Sequence, residues 1–115
     1  MLIRSQDKRM IVNFDNICTV SAFPEKDSED IYVEDGTGSL MVGRYSAKAK
    51  AMKVLDMIQE AYGDSEYTKY VIPEVCRTLS MKPRTEENKA HAGELGEMLK
   101  KEMTFQMPED GSVEV

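Results

Sequence analysis

One amphipathic segment in the middle of the chain constrains the fold more than any other feature. Its apolar residues recur at the three- and four-residue spacing of an α-helix and form a single stripe. The stripe consists of Ala47, Ala51, Val54, Leu55, Ile58, Ala61 and Tyr62. Ser46 is a favourable N-cap and Gly63 a favourable helix stop, which predicts a helix between them. We expect its stripe to pack on a sheet.

The residues before this helix have the pattern of strands. Residues 17–23 alternate large apolar with small or polar side chains, which is typical of a half-buried strand. Shorter β-rich runs occupy residues 2–4, 10–13, 31–33 and 40–42. The glycine-containing connection at residues 35–38 predicts a β-hairpin.

The residues after Gly63 give a weaker pattern. Residues 67–72 have β-like composition and are expected to end at Pro73, while residues 74–80 fit either a short helix or a strand. Thr85 is a suitable cap for a second helix that runs to about Lys101. Its apolar positions are Ala92, Leu95, Met98 and Leu99.

These elements predict an α+β fold, in which two α-helices pack on an antiparallel β-sheet. Residues 103–107 alternate again and supply a last strand. Residues 1–107 are predicted to form a single domain, and residues 108–115 an acidic, mobile tail.

The formal net charge of −6 limits the partners that the chain can bind. Duplex nucleic acid and anionic membrane surfaces are not expected, because both require many Lys and Arg contacts. No apolar run approaches the roughly 18 residues of a membrane span, so we expect a cytoplasmic protein.

No cofactor, metal or catalytic centre is expected. The chain lacks the motifs GxxxxGK[ST], GxGxxG, GxSxG and HExxH. Cys18, Cys76 and His91 are too few for a structural zinc site, which needs about four ligands. Cys18 belongs to an alternating run and is expected in the core. Cys76, beside Arg77, is the one candidate nucleophile, but a structural thiol is the simpler interpretation.

Two groups of basic residues are candidates for anion binding. Arg44, Lys48, Lys50 and Lys53 crowd the positive end of the first helix, where free N–H groups also attract anions. The simpler interpretation is that these lysines are solvated. The second group combines cations with aromatic rings, as a nucleotide pocket requires, although a loop-rich surface often has the same composition. It consists of Lys69, Arg77, Lys82 and Arg84, with Tyr67 and Tyr70.

Several segments resemble small proteins that are common in phages and mobile elements of Gram-positive bacteria. The resemblance rests on residues 3–8, 43–46, 54–59 with Ala51, and 105–108. Among these proteins is the first family of Thoeris anti-defence proteins, the viral sponges for cyclic ADP-ribose signals. The similarity covers roughly the first 60 and the last ten residues, and residues 64–102 do not align.

The resemblance implies a homo-oligomer, a dimer or larger, without enzymatic activity. Such a sponge holds a glycocyclic ADP-ribose intact in an interface pocket, so that a defence effector is never activated. Some members are also implied to bind cyclic oligonucleotides at a separate site. The family's ligand-gripping residues correspond here to Arg77, Arg84, Asn88 and Tyr70, with Lys100 and Lys101 as substitutes. The second anion site corresponds to Gly43, Arg44 and Lys48.

The sequence therefore predicts a phage sponge that acts in the cytoplasm of the infected bacterial host cell and sequesters a small cyclic nucleotide. The alternative is an acidic, protein-binding inhibitor of a bacterial defence nuclease or CRISPR effector, which the net charge and the acidic tail favour. An enzyme that uses the Cys76 thiol is the third hypothesis.

Overall fold

A computed structural model of the chain describes residues 1–80, 89, 90, 93, 94, 97 and 103–115. This part contains six strands in two three-stranded sheets and one long α-helix. The elements are β1 (Leu2–Arg4), β2 (Ile11–Asn13), β3 (Thr19–Pro24), β4 (Glu29–Glu34), β5 (Ser39–Tyr45), α1 (Lys48–Ser80) and β6 (Thr104–Gln106). Two 3-10 turns occupy Phe14–Asn16 and Asp110–Ser112. The predicted α+β class is confirmed.

The first sheet has the strand order β2-β1-β6. Strand β1 runs antiparallel to β2 and parallel to β6, so that Ile3 lies opposite both Val12 and Phe105. Ile3 is fully buried, because a strand's alternating side chains give one face to the core. The first and last strands of the chain are therefore neighbours.

The second sheet has the order β3-β4-β5 and is antiparallel throughout. Gly36 takes a φ of 93° in the connection between β4 and β5, a left-handed conformation that glycine adopts without steric cost. This connection is the hairpin that the sequence predicted. The register shifts by one residue between Ile31 and Tyr32, at a β-bulge.

Helix α1 covers the inner face of the second sheet. Ala51, Val54 and Ile58 are buried and belong to one apolar cluster with Ile31 and Val33. The predicted stripe is thus confirmed at Ala51, Val54 and Ile58, whereas its first residue, Ala47, is exposed and precedes the helix. Burial of these side chains stabilises the fold by roughly 25 cal/mol for each Å² of apolar surface removed from water.

The predicted end of this helix at Gly63 is wrong. Helix α1 is 33 residues long and continues past Gly63 to Ser80. Gly63 has no left-handed φ, and Pro73 lies inside the helix. Residues 67–72 are consequently helical and not β-like. The helix continues past Gly63 because its buried face continues there. Ser65 lies seven residues, about two helical turns, after Ile58 and is also buried.

The second predicted helix, from Thr85 to Lys101, falls mostly outside the described residues. Helical conformation is described at residues 89, 90, 93, 94 and 97.

The predicted mobile tail is instead docked over residues 108–113. The Tyr45 hydroxyl donates a hydrogen bond to the carbonyl oxygen of Pro108 at 2.7 Å. Val113 is 6% exposed and belongs to the apolar core. The segment is held in place because the Val113 side chain packs in the apolar core and the carbonyl oxygen of Pro108 accepts hydrogen bonds from Tyr45 and Gln6.

Cys18 also differs from its prediction. It lies immediately before β3 and its side chain is exposed, so it is not a core residue. Among the described residues, no helix combines the length and apolar character that crossing a membrane requires.

Candidate functional site

The second half of α1 and the adjacent end of the first sheet enclose a cleft of about 500 Å³. This volume falls in the range of small-molecule sites, which is roughly 300–1,000 Å³. We call this cavity the α1 cleft. Its walls are formed by Met1, Leu2, Asn13, Asp15, Ser65, Thr68, Lys69, Pro73 and Met103.

The wall opposite the helix is fixed by local hydrogen bonding. Asn13 caps the following 3-10 turn, since its side-chain oxygen accepts from the backbone N–H of Asp15 at 3.1 Å. In that turn, the ring of Phe14 lies 5.1 Å from the ring of Tyr62 on α1. This aromatic contact holds the turn against the helix just before the cleft begins.

Two small hydroxyl residues form the helical wall. Ser65 and Thr68 are 8% and 4% exposed, and both continue the buried face of α1. Apolar side chains occupy this face earlier in the helix, whereas here each residue offers a hydroxyl that donates and accepts hydrogen bonds. These two hydroxyls can bond to a ligand's hydroxyl or phosphate groups, although most of the lining of the cleft is apolar.

A cation and an aromatic ring lie at the same part of the helix. The Lys69 ammonium lines the cleft and also lies 5.6 Å from the centroid of the Tyr70 ring. This distance is within the range of a cation–π interaction. Tyr70 itself is 65% exposed.

Arg77 lies on the same face of α1 as Tyr70. Seven residues separate them, which is within about 20° of two full helical turns. The Arg77 guanidinium bonds to the Glu74 carboxylate at 2.6 Å, with both side chains more than 60% exposed. Exposed pairs of this kind are weak, so a ligand phosphate can compete with the Glu74 carboxylate.

Two of the six predicted ligand-binding residues, Tyr70 and Arg77, lie on one face of α1, two helical turns apart, and neither lines the α1 cleft. The other four lie outside the described residues. These are Arg84, Asn88, Lys100 and Lys101.

The second predicted site, at Gly43, Arg44 and Lys48, has no role for an external anion in the structure. Arg44 donates from Nε and Nη2 to the two carboxylate oxygens of Asp30, each at 3.0 Å. Asp30 is fully buried, and the Arg44 hydrogen bonds hold its pKa below the ordinary value against the opposing effect of burial. The charge of Arg44 is therefore already compensated within the chain.

The start of α1 does attract an anion, but that anion is Asp110. Its Oδ1 accepts from the backbone N–H of Ser46 at 2.7 Å and from the Ser46 hydroxyl at 3.0 Å. Lys50 donates to the Asp110 carbonyl oxygen at 3.0 Å. These contacts, the Ser46 backbone bond first, lower the pKa of Asp110. Lys48 is exposed beside this closed cap.

Gly43 is required by packing and not by a phosphate. A Cβ at this position would lie 3.0 Å from Cε2 of Tyr45 and 3.1 Å from the terminal carbon of Met107. The glycine therefore admits the Tyr45 ring into the core, where burial raises the pKa of its hydroxyl.

The segments that carry the family resemblance meet at this packing cluster. The Gln6 side chain accepts from the Arg44 backbone N–H at 2.9 Å and donates to the carbonyls of Arg44 and Pro108. The Gln106 side chain donates to the carbonyl of Ser5 at 3.0 Å. Residues 3–8, 43–46 and 105–108 are thus joined by structural hydrogen bonds, which explains their sequence pattern without a ligand.

Sequence reasoning named Lys69 but missed the other residues that line the α1 cleft. Ser65 and Thr68 were not assigned to a helix, because Gly63 was interpreted as its end. The available signal was their spacing, since Ser65 lies seven residues after Ile58 and Thr68 seven after Ala61. Asp110 was assigned to a mobile tail, and no local pattern links it to Ser46.

No protein-family model matches this chain, and no curated protein or solved structure matches it either. The function is therefore argued from the geometry of the described residues.

Proposed function

We propose that this protein binds a small, phosphate-bearing cyclic nucleotide of the cyclic ADP-ribose type and holds it without cleaving it. The observation that carries this proposal is the α1 cleft, which Lys69 and two buried hydroxyl residues line, with the Tyr70 ring 5.6 Å from the Lys69 ammonium. Each group matches a part of such a ligand.

The match follows from ordinary recognition chemistry. A base stacks on an exposed aromatic ring, and Tyr70 presents one. Phosphates bind ammonium and guanidinium groups, which Lys69 supplies in the cleft and Arg77 supplies eight residues further along α1. Ribose hydroxyls pair with neutral hydroxyls and carboxylates, which Thr68 and Asp15 supply.

Capture without turnover is the activity that this set of groups supports. The Lys69 ammonium and the hydroxyls of Ser65 and Thr68 can hold a phosphate, but none of them is an activated nucleophile paired with a base. A ligand bound here would be withheld from its receptor, which is the role of a sponge in the host cytoplasm.

The test is a capture-and-release assay. The purified protein is incubated with cyclic ADP-ribose isomers and with cyclic di- and trinucleotides, freed of unbound ligand, and then heated. We expect intact cyclic ADP-ribose-type ligand in the supernatant only after heating. Recovery of a cleaved product would overturn the non-enzymatic proposal, and no recovery of any ligand would overturn binding itself.

A matched pair of variants locates the site. Arg77→Ala should lower the amount of ligand captured at limiting protein by tenfold or more, because a guanidinium near the ring is lost. Lys53→Ala removes an equally exposed cation from the first half of α1 and should leave capture unchanged. Equal loss in both variants would point to nonspecific charge attraction.

The protein-binding alternative receives less support from the fold. Its argument relied in part on a free acidic tail, whereas Asp110 in that segment is bonded to Ser46 and Lys50. A chain that captures no nucleotide but inhibits a defence nuclease would establish this alternative.

A further inference from the structure

A cavity separate from the α1 cleft lies on the outer face of the second sheet, the face that α1 does not cover. Because Ile31 and Val33 point into the core, Tyr32 and Glu34 on the same strand point outward. The cavity has a volume of about 260 Å³, and we call it the outer cavity. Its walls are formed by Phe23, Pro24, Glu25, Tyr32, Glu34 and Ser39.

Two aromatic rings form a corner of the outer cavity. The rings of Phe23 and Tyr32 have centroids 5.8 Å apart and are inclined by 78°, nearly a right angle. Phe23 is 49% exposed, although its side chain is large and apolar. The face of an aromatic ring carries partial negative charge and attracts a cation. The two rings therefore offer a cationic group both a π-face and an apolar wall.

The described lining of the outer cavity is acidic. Glu25 and Glu34 each contribute a carboxylate, and none of the described lining residues is basic. Glu34 accepts a long hydrogen bond, at 3.4 Å, from the hydroxyl of Thr19. A charged donor would bind this carboxylate more strongly than a neutral hydroxyl does, because charge-assisted hydrogen bonds are the stronger ones. The cavity thus combines rings and carboxylates, which both favour a cation.

Arg44 on β5 is a nearby cation whose charge the fold already offsets. Its guanidinium donates to both carboxylate oxygens of the buried Asp30, each at 3.0 Å. These bonds, and more weakly the charge of Glu25, raise the pKa of Arg44. Since Glu25 already interacts with Arg44, Glu34 is the carboxylate that is better able to bind an added cation.

The outer cavity lies at the edge of the sheet, because Phe23 and Pro24 of β3 form part of its wall. In the described part of the chain, β3 pairs with β4 on one side and with no strand on the other. Such an edge presents backbone N–H and C=O groups with which an extended peptide can pair. Every second side chain of that peptide would lie over the outer face of the sheet.

We propose that this edge captures an extended, arginine-containing segment of a partner protein. The segment pairs with β3 and inserts an arginine side chain into the outer cavity, where the guanidinium stacks on Tyr32 and donates to Glu34. Arginine suits these groups better than lysine, because its planar guanidinium both stacks on rings and forms paired hydrogen bonds with a carboxylate.

Two further observations favour a basic peptide over a free small molecule. The cavity is smaller than the roughly 300–1,000 Å³ of small-molecule sites, so it suits a single inserted side chain. The net charge of −6 attracts a basic segment during the encounter. The surface lies on the opposite side of the sheet from α1, so this inference goes beyond the proposed nucleotide capture and does not depend on it.

Fluorescence anisotropy of labelled peptides, with the full chain and without nucleotide, tests the proposal. The probe is a short peptide in which arginine alternates with threonine, a residue that favours strands. We expect saturable binding, and binding at least tenfold weaker when neutral citrulline replaces arginine. A peptide with lysine in place of arginine should also bind more weakly. No binding of the arginine peptide, equal affinity for the lysine peptide, or free arginine that binds as tightly as the peptide would overturn the proposal.

Two variants locate the site. Glu34→Gln removes the carboxylate charge and Tyr32→Leu removes the ring, and each should weaken binding of the arginine peptide at least fivefold. Glu60→Gln is the matched control, because it neutralises an exposed carboxylate on α1 and should leave the affinity unchanged. Circular dichroism establishes that the variants remain folded. Wild-type affinity in Glu34→Gln, or an equal loss in all three variants, would contradict the assigned site.

Methylation of alternate backbone nitrogens of the arginine peptide tests the pairing with β3. A methylated nitrogen cannot donate a hydrogen bond, so one of the two possible alternating sets should lose affinity at least tenfold. Unchanged affinity with both sets would exclude strand pairing and overturn capture at this edge.

Discussion

At the scale of single residues, Gly43, Gln6 and Asp110 have structural roles. Gly43 admits the Tyr45 ring, Gln6 bonds to the backbone of β5, and Asp110 closes the start of α1. Gln6 and Asp110 bond to residues distant in sequence, and Gly43 makes room for Met107 as well as for the nearby Tyr45. Their roles therefore depend on the packed fold and not on a local pattern.

Gly43→Ala should destabilise the protein by about 1–3 kcal/mol, because the new methyl group would crowd the Tyr45 ring and Met107. Urea unfolding measures the change. Gly38→Ala is the matched control, since its added methyl group would meet no atom within 4 Å. Equal stability of the two variants would contradict the packing role of Gly43.

Asp110→Ala should lower the urea midpoint at pH 7, because the helix start loses its intramolecular anion. The folded pKa of Asp110 lies below its ordinary value of 3.8, so its carboxylate stabilises the fold fully above that pH. The stabilisation is lost as the pH falls through the lower, folded pKa. The gap between wild type and variant should therefore close in acid, whereas the exposed Asp27→Ala should show no gap at pH 7. A gap of constant size from pH 7 to pH 2 would refute this role.

At the scale of elements, the length of α1 decides where the candidate site lies. A helix that ended near Gly63 would leave Ser65, Thr68, Lys69 and Tyr70 on a loop. The continuous helix instead places these residues on adjoining faces beside the first sheet.

Gly63→Ala tests this continuity. An exposed glycine inside a helix costs about 1 kcal/mol relative to alanine, and no atom lies within 4 Å of the added methyl group. The variant should therefore be more stable by about that amount in urea unfolding. If Gly63 ended the helix in a left-handed conformation, the same change would destabilise the protein.

The elements with regular periodicity were predictable, and those governed by distant contacts were not. The stripe from Ala51 to Ile58 follows directly from which face of the helix is buried, whereas β3, predicted from the alternation of residues 17–23, has no alternating burial. The division of the strands into two sheets depends on the pairing of β1 with β6, which are separated by about 100 residues. The chemistry of Tyr70 and Arg77 marks them as candidates in the sequence. The α1 cleft could not be predicted, because it forms only when the helix continues past Gly63.

At the scale of the whole molecule, the proposed capture requires an acidic chain to bind an anion through a few local cations. The net charge of −6 is a sum over the whole chain. Salt screens the repulsion between a bound anion and distant carboxylates, so that short-range attraction to Lys69 and Arg77 can outweigh this repulsion.

The most direct test is equilibrium dialysis of cyclic ADP-ribose isomers against the wild-type chain and Lys69→Glu, with Lys53→Glu as the control. Both variants reverse one exposed lysine of α1, but only Lys69 lines the cleft. We predict that the wild type and Lys53→Glu retain one of these ligands with the same affinity, and that Lys69→Glu binds it at least tenfold more weakly. Equal affinity of all three proteins, or no retention by the wild type, would contradict the account.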